Sequence, residues 1–232
     1  MLAKGISLGR YTVERSISNS GGTASVYLGH VTKSPKLKVA LKIANSANGQ
    51  PTEEDILLRR EAELLSSWDW RHQGIVRLFP VNQREYVVKA LNLGEEPWFM
   101  AMEYLSGNSL SENMDKIKGF PLNWKIELFY NILLSVAFMH QKGYAHRDLK
   151  PENIVFKKPI NEFESPQPVL IDFALAWNGT DDIDYVKTSY TLAYASPERI
   201  LKTMGYDYNS PIWAADIWSL GIIFYEIITG EN

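Results

Sequence analysis

The sequence predicts an α+β protein, rich in strands in its N-terminal part and mainly helical beyond it. Three observations carry this. Apolar and polar residues alternate from Tyr11 to Val31 on both sides of Asn19-Ser20-Gly21-Gly22-Thr23, the pattern of a hairpin. Glu53 to Trp68 and Leu122 to Gln141 each gather apolar residues on one helical face. Between apolar runs, polar residues crowd into His146-Arg147-Asp148-Leu149-Lys150-Pro151-Glu152-Asn153 and Ile171-Asp172-Phe173-Ala174, a combination too costly to bury without a purpose.

After the hairpin, Lys38-Val39-Ala40-Leu41-Lys42-Ile43 is a short apolar strand carrying a lysine. In the helix that follows, Leu57, Glu61, Leu64, Leu65 and Trp68 share a face at i, i+3, i+4 and i+7 spacing. A carboxylate inside an apolar stripe needs a partner, and Lys42 is the natural one for Glu61; Glu63 is the second choice and the more solvated position. Ile75 to Leu78 and Trp98 to Tyr104 read as strands with a polar excursion between them. The second helix has Trp124, Leu128, Ile132, Val136 and Met139 in phase, and Gly143 stops it. Ile154 to Phe156 and Val169 to Ile171 read as paired strands that hold Asn153 and Asp172 side by side. From Asp207 to Gly230, turn residues give way to a very apolar helix.

The polar run has a chemical reading. Moving the terminal phosphoryl group of a nucleotide to a hydroxyl needs a carboxylate to orient the hydroxyl and accept its proton, a cation near the phosphate, and oxygen ligands for magnesium. Asp148, Lys150, and the pair Asn153 and Asp172 supply these in turn, the last two as hard oxygen donors.

HRDLKPEN followed by an IDF triplet closely resembles the catalytic and metal-binding loops of the eukaryotic-like (Hanks-type) serine/threonine protein kinases. The resemblance runs from about Tyr11 to Gly230. It implies a bilobal kinase-like fold, with a small β-rich lobe over 1–104 and a mainly helical lobe over 105–232. It also implies ATP and magnesium, or manganese in its place, as cofactors, and protein substrates with serine or threonine acceptors.

By the same resemblance, Asn19, Gly21, Gly22 and Ala24 stand where the family has its glycine-rich phosphate cover, with one of the three pattern glycines kept, Gly21. Val26, Ala40 and Val155 wall the adenine pocket, Met102 is the gatekeeper at its back, and backbone groups of Glu103 and Leu105 bind the base. Lys42 meets the inner phosphates. Leu175 to Ser196 resembles the activation segment, closing in Ser196-Pro197-Glu198. A phosphate on Thr188 or Ser189 would pair with Arg147, while Thr191 touches the catalytic aspartate and lysine. Asp216 bonds the backbone around the catalytic loop; as an isolated residue it also reads as a helix cap.

Ala174 replaces the usual glycine, and a left-handed conformation there would cost Ala about 1 to 2 kcal/mol. The family's second lobe continues for several helices beyond this sequence. The last helix is apolar nearly all round and is expected to be buried, by further chain or by a partner. Two alternatives to a protein kinase are a nucleotide-binding scaffold without turnover and a small-molecule kinase; Lys150 and the Ser-Pro-Glu segment count against the latter.

Composition bounds the rest. The 232 residues suffice for one domain or two lobes around a cleft, and 45% hydrophobic with 22% charged residues is an ordinary globular balance. A net charge of -3 offers no basic field to nucleic acid or acidic membrane. The absence of cysteine excludes a disulfide frame, a thiolate metal site and cysteine catalysis. No stretch approaches the roughly 20 apolar residues of a membrane helix, and Met1 to Arg10 lacks a signal-peptide core. A cytoplasmic chain is expected.

Overall fold

Strands β1 (Ser7–Leu8), β2 (Tyr11–Ser18), β3 (Ala24–Val31) and β4 (Ser34–Ala44) pair antiparallel in that order, and the alternation read from Tyr11 to Val31 lies in β2 and β3. The computed structural model describes residues 2–18, 24–45, 52–68, 72–91, 93, 96–180, 191–206 and 211–231. The chain divides into two compact units, Met1–Arg71 with Val76–Tyr104, and His72–Ile75 with Leu105–Asn232.

In the first unit, β5 (Leu78–Phe79), β6 (Val87–Lys89) and β7 (Trp98–Glu103) extend the sheet. Among the described residues it has seven strands, ordered β1-β2-β3-β4-β7-β5, with β6 also on β7. Val39, Leu41 and Ile43 of β4 lie in one core with Val13, Phe99 and Ala101; their spacing of two puts them on a single sheet face. A Cβ on Gly29 would lie 2.7 Å from Leu41 Cδ1 and 2.8 Å from Thr12 O. The missing side chain therefore gives Leu41 its place in that core.

Helix α1 (Glu53–Ser67) packs against β4 and β7. Its start is a reciprocal capping box: Asp55 N donates to Thr52 Oγ1 at 3.3 Å, and Thr52 N donates to Asp55 Oδ2 at 2.9 Å. The strand expected over Ile75 to Leu78 does not form as a unit. Leu78 enters β5, whereas Ile75 makes an isolated bridge with Leu170, because Leu170 N donates to Gly74 O at 2.8 Å and pins the preceding residues there. The polar excursion before β7 contains β6, too short to register as a pattern.

The second unit contains α2 (Leu110–Lys118), α3 (Leu122–Gln141), β8 (Ile154–Phe156), β9 (Pro168–Leu170), α4 (Pro197–Thr203) and α5 (Ala214–Thr229). In α3 the five in-phase apolar residues are buried, and Gly143 turns the chain at φ 83°. Segment 72–75 lies on this helix: the His72 ring stacks on Phe138 at 5.0 Å, and a Cβ on Gly74 would fall 1.9 Å from Ser135 Oγ. Helix α2 was absent from the sequence reading, although Ser109 and Glu112 form a second capping box, at 3.1 and 2.8 Å. Strand β9 sits one residue earlier than predicted, so Ile171 follows the strand.

The last helix is expected to be covered by further chain or by a partner, and this chain by itself buries one stripe of it. Helix α5 buries Leu220, Ile223 and Ile227 and leaves Ile217, Trp218 and Tyr225 exposed at 59%, 44% and 52%. Its contacts are with α2 and α3, and a helix packed from one side can hide only one stripe of its surface. Among the described residues no helix is long and apolar enough to cross a membrane.

Candidate active site

In the first unit, β4 sets Lys42 opposite Val26 of β3 and Met100 of β7. Its Nζ lies 2.5 Å from Glu61 Oε2, and the two residues are 7% and 0% exposed. The apolar stripe of α1 thus carries its carboxylate inward to a cation on the neighbouring sheet, where each charge offsets the cost of burying the other. Glu63 faces outward. In the same unit Ala40 pairs with Met102 across β4 and β7, both nearly buried, while Val26 is half-buried. The N–H of Glu103 donates to Arg77 O at 2.8 Å, and Glu103 Oε1 accepts from Arg77 N at 2.8 Å. Ala24 opens β3; Asn19, Gly21 and Gly22 lie outside the described residues.

In the second unit, the chain leaves α3, passes Gly143 and enters the run from His146. Asp216, wholly buried, grips the backbone here: His146 N donates to its Oδ2 and Arg147 N to its Oδ1, each at 2.8 Å. His140 Nε2 meets the same Oδ2 at 2.8 Å. Asp216 lies in the third position of α5 and caps nothing there, since the N-cap is Trp213. The helix-cap reading is therefore set aside. His146 is also buried. Its Nε2 donates to Ile171 O at 3.1 Å, its Nδ1 accepts from Asp148 N at 3.4 Å, and its ring lies 5.0 Å from that of Phe173.

The carboxylate of Asp148 sits among the side chains that follow it. Its Oδ2 is 2.8 Å from Lys150 Nζ and accepts from Asn153 Nδ2 at 3.0 Å, and Asn153 Nδ2 also donates to the Asp148 carbonyl at 2.8 Å. Lys150 Nζ donates in addition to Thr191 Oγ1 at 3.1 Å. Asp148, Lys150, Asn153 and Thr191 therefore form one hydrogen-bonded group. The side chain of Asp148 keeps 13% exposure, so the group is not closed to solvent. A 3-10 turn over Pro151–Asn153 aims Asn153 back at Asp148, and Pro151 at its first position has no N–H to leave unpaired.

Asp172 comes next to this group through the backbone, where Ile171 N donates to Asn153 O at 3.0 Å. Because the Asn153 amide nitrogen is spent twice on Asp148, its amide oxygen is left as an acceptor. Asn153 thus offers a hard oxygen in its amide group, and Asp172 offers hard oxygens in its carboxylate. Among the described residues no group of three or more His, Asp or Glu could hold a metal by itself. A sparse oxygen set of this kind suits magnesium, which keeps several waters and takes phosphate oxygens as ligands.

One expectation about the backbone is corrected here. The left-handed conformation that glycine would relieve is not at Ala174; it is at Asp172, with φ 62°, and at Arg147, with φ 68°. Ala174 is buried in ordinary backbone, so the expected penalty of about 1 to 2 kcal/mol does not fall on it. The Arg147 guanidinium lies 4.7 Å from the centroid of the Trp177 ring. Thr188 and Ser189, the expected phosphate acceptors, lie outside the described residues. Leu105 is half-buried, as is Val155, which bridges Ser109.

Two residues near the loop escaped the sequence reading. His140 supports Asp216. Arg199, in the first turn of α4, donates from Nη1 to the carbonyl of Arg147. The one signal for His140 was a basic residue in the last turn of a largely apolar helix, whereas Arg199 had none, because α4 also carries Glu198 and Lys202.

The protein kinase domain model matches residues 11–232. The chain is 29% identical over 212 residues to ribosomal protein S6 kinase alpha-3 of Homo sapiens, covering 90% of this chain and 25% of that protein. It is 30% identical over 224 residues to probable serine/threonine-protein kinase MARK-A of Dictyostelium discoideum, covering 96% and 19%. It is also 31% identical over 180 residues to cyclin-dependent kinase F-4 of Oryza sativa subsp. japonica, covering 76% and 33%. The chain thus spans between 19% and 33% of the length of these relatives.

Proposed function

The chain belongs to the protein kinase family, of the eukaryotic-like (Hanks-type) serine/threonine kind, and from that premise we propose that it transfers the terminal phosphoryl group of ATP to serine or threonine hydroxyls of protein substrates. Asp148 accepts the hydroxyl proton as the new oxygen–phosphorus bond forms, the bond from the terminal phosphorus to its bridging oxygen breaks, and ADP leaves. Lys150 balances the charge on the moving group, and Thr191 steadies Lys150. Lys42, held by Glu61, takes the inner phosphates. Asn153 and Asp172 would hold magnesium, which supplies neutralisation of phosphate charge. Val26, Ala40, Met102, Glu103, Leu105 and Val155 are proposed for the adenine, with Asn19, Gly21, Gly22 and Ala24 over the phosphates. Arg147, with Thr188 or Ser189, is proposed for control by phosphorylation, and a cytoplasmic location belongs to the same reading.

The observation that carries the proposal is the bonding of Asp148. A carboxylate held by both Lys150 and Asn153, in a loop gripped from below by Asp216, is oriented before any substrate arrives. A polar surface loop has no need of this. The alternative is a nucleotide-binding scaffold without turnover, raised by Asn19 and Ala24 in place of two glycines.

Transfer of radiolabelled phosphate from ATP to a generic protein substrate separates the two. The expected result is transfer by the wild type and a loss of about 100-fold or more in Asp148→Asn. No transfer by the wild type, or equal transfer by both, overturns the proposal.

A further inference from the structure

Arg199 is a charged residue with 8% exposure, and the function proposed above leaves it without a task. It lies in the first turn of α4, two residues after Pro197 and three after the N-cap Ser196. Its Nη1 donates to the main-chain oxygen of Arg147, the residue immediately before Asp148.

That oxygen belongs to a peptide whose orientation matters. Arg147 has φ 68°, a left-handed conformation that a residue with a side chain adopts only at a cost. Its N–H is already held by Asp216. With the N–H fixed, the freedom that remains is rotation of the peptide joining Arg147 to Asp148, and such a rotation carries the Asp148 side chain with it. A donor on the Arg147 carbonyl removes this freedom and favours the left-handed state. A guanidinium suits the role because it stays charged when buried and presents its N–H groups as a rigid planar fork.

A second contact joins the same two segments. Thr191, eight residues before Arg199, accepts from Lys150, which is two residues after Asp148. The stretch from Thr191 to Arg199 therefore braces the catalytic loop on both sides of Asp148.

We propose that Arg199 is a positioning residue: through the Arg147 carbonyl it sets the peptide that aims Asp148, and so it makes the orientation of the base depend on the seating of α4. This rests on the reading of Asp148 as the base. Arg199 touches neither nucleotide nor acceptor.

The test uses the full chain and two variants. Arg199→Lys keeps the charge and loses the fork; Arg199→Met loses both. The expected result is a graded fall in kcat, several-fold for Lys and about 10- to 100-fold for Met. KM for ATP stays unchanged in both, and the Tm of the Lys variant stays at the wild-type value. Hydrogen exchange at the Asp148 and Asn153 amides speeds up in the same order. Wild-type kcat in the Lys variant, together with a Met variant whose loss matches its unfolded fraction, overturns the proposal. Should the Met variant not fold, the Lys variant decides by the same criterion. A wild-type chain that transfers no phosphate ends the functional reading. Exchange then decides the positioning alone, and unchanged protection in Arg199→Lys overturns it.

Discussion

Lys42 Nζ and Glu61 Oε2 stand 2.5 Å apart, and Glu61 has no exposure to solvent at all. A pair so placed adds little to stability over an apolar pair of the same volume, but removing one partner strips the other of its compensation. Glu61→Ala is expected to destabilise the chain by about 3 to 5 kcal/mol. The double variant Lys42→Met with Glu61→Leu should recover most of that loss and show no phosphoryl transfer. Urea unfolding of the three chains checks the first statement, and the transfer assay the second. A double variant as unstable as Glu61→Ala would show that the pair itself holds the unit together.

Asp216 uses both carboxylate oxygens on the backbone N–H groups of His146 and Arg147. In Asp216→Asn one acceptor becomes a donor and faces an N–H. A loss of about 1.5 to 3 kcal/mol is expected, the range for hydrogen bonds to a charged group, together with a fall in kcat. Denaturant unfolding and steady-state kinetics on one preparation test this; a variant with wild-type stability would contradict it.

Burial holds the carboxyl of Glu226 above its ordinary value. The charge of Glu152 pushes the same way, and the hydrogen bond from Tyr194 at 2.9 Å opposes both. The folded protein therefore binds this proton more tightly than the unfolded chain does. The contribution is fully present below the ordinary value of about 4.5 and is lost as pH rises through the folded value. Glu226→Gln keeps an acceptor for Tyr194 and carries no charge. Its Tm should exceed that of the wild type at about pH 8, and the difference should shrink towards about pH 4. Thermal unfolding across that range checks the sign.

The hydroxyl of Ser196 is buried and has no hydrogen-bond partner among the described residues. Ser196→Ala removes a desolvated polar atom and leaves the backbone of the α4 N-terminus unchanged. A gain of about 1 kcal/mol is expected, read as a rise in Tm. A drop in Tm would mean that the oxygen is satisfied in solution.

What the sequence determined by itself was everything carried by short spacing. The hairpin, α1 and α3 followed from periods of two and 3.6, and Glu61 was preferred to Glu63 because it falls within the apolar stripe. The loop from His146 to Asn153 stood out because it crowds polar side chains between apolar runs, and the structure joins Asp148, Lys150 and Asn153 of it into one hydrogen-bonded group. The tertiary structure alone decided what depends on residues far apart in the chain or on backbone angles. Ala174 looked like the strained position, yet the positive φ values belong to Arg147 and Asp172. The final helix is apolar nearly all round, and packing decided which stripe this chain itself covers, that of Leu220, Ile223 and Ile227. The hold of Arg199 on the Arg147 carbonyl spans 52 residues. No local pattern encodes such a contact, because hydrophobic period reports which face turns inward and never which distant carbonyl that face will meet.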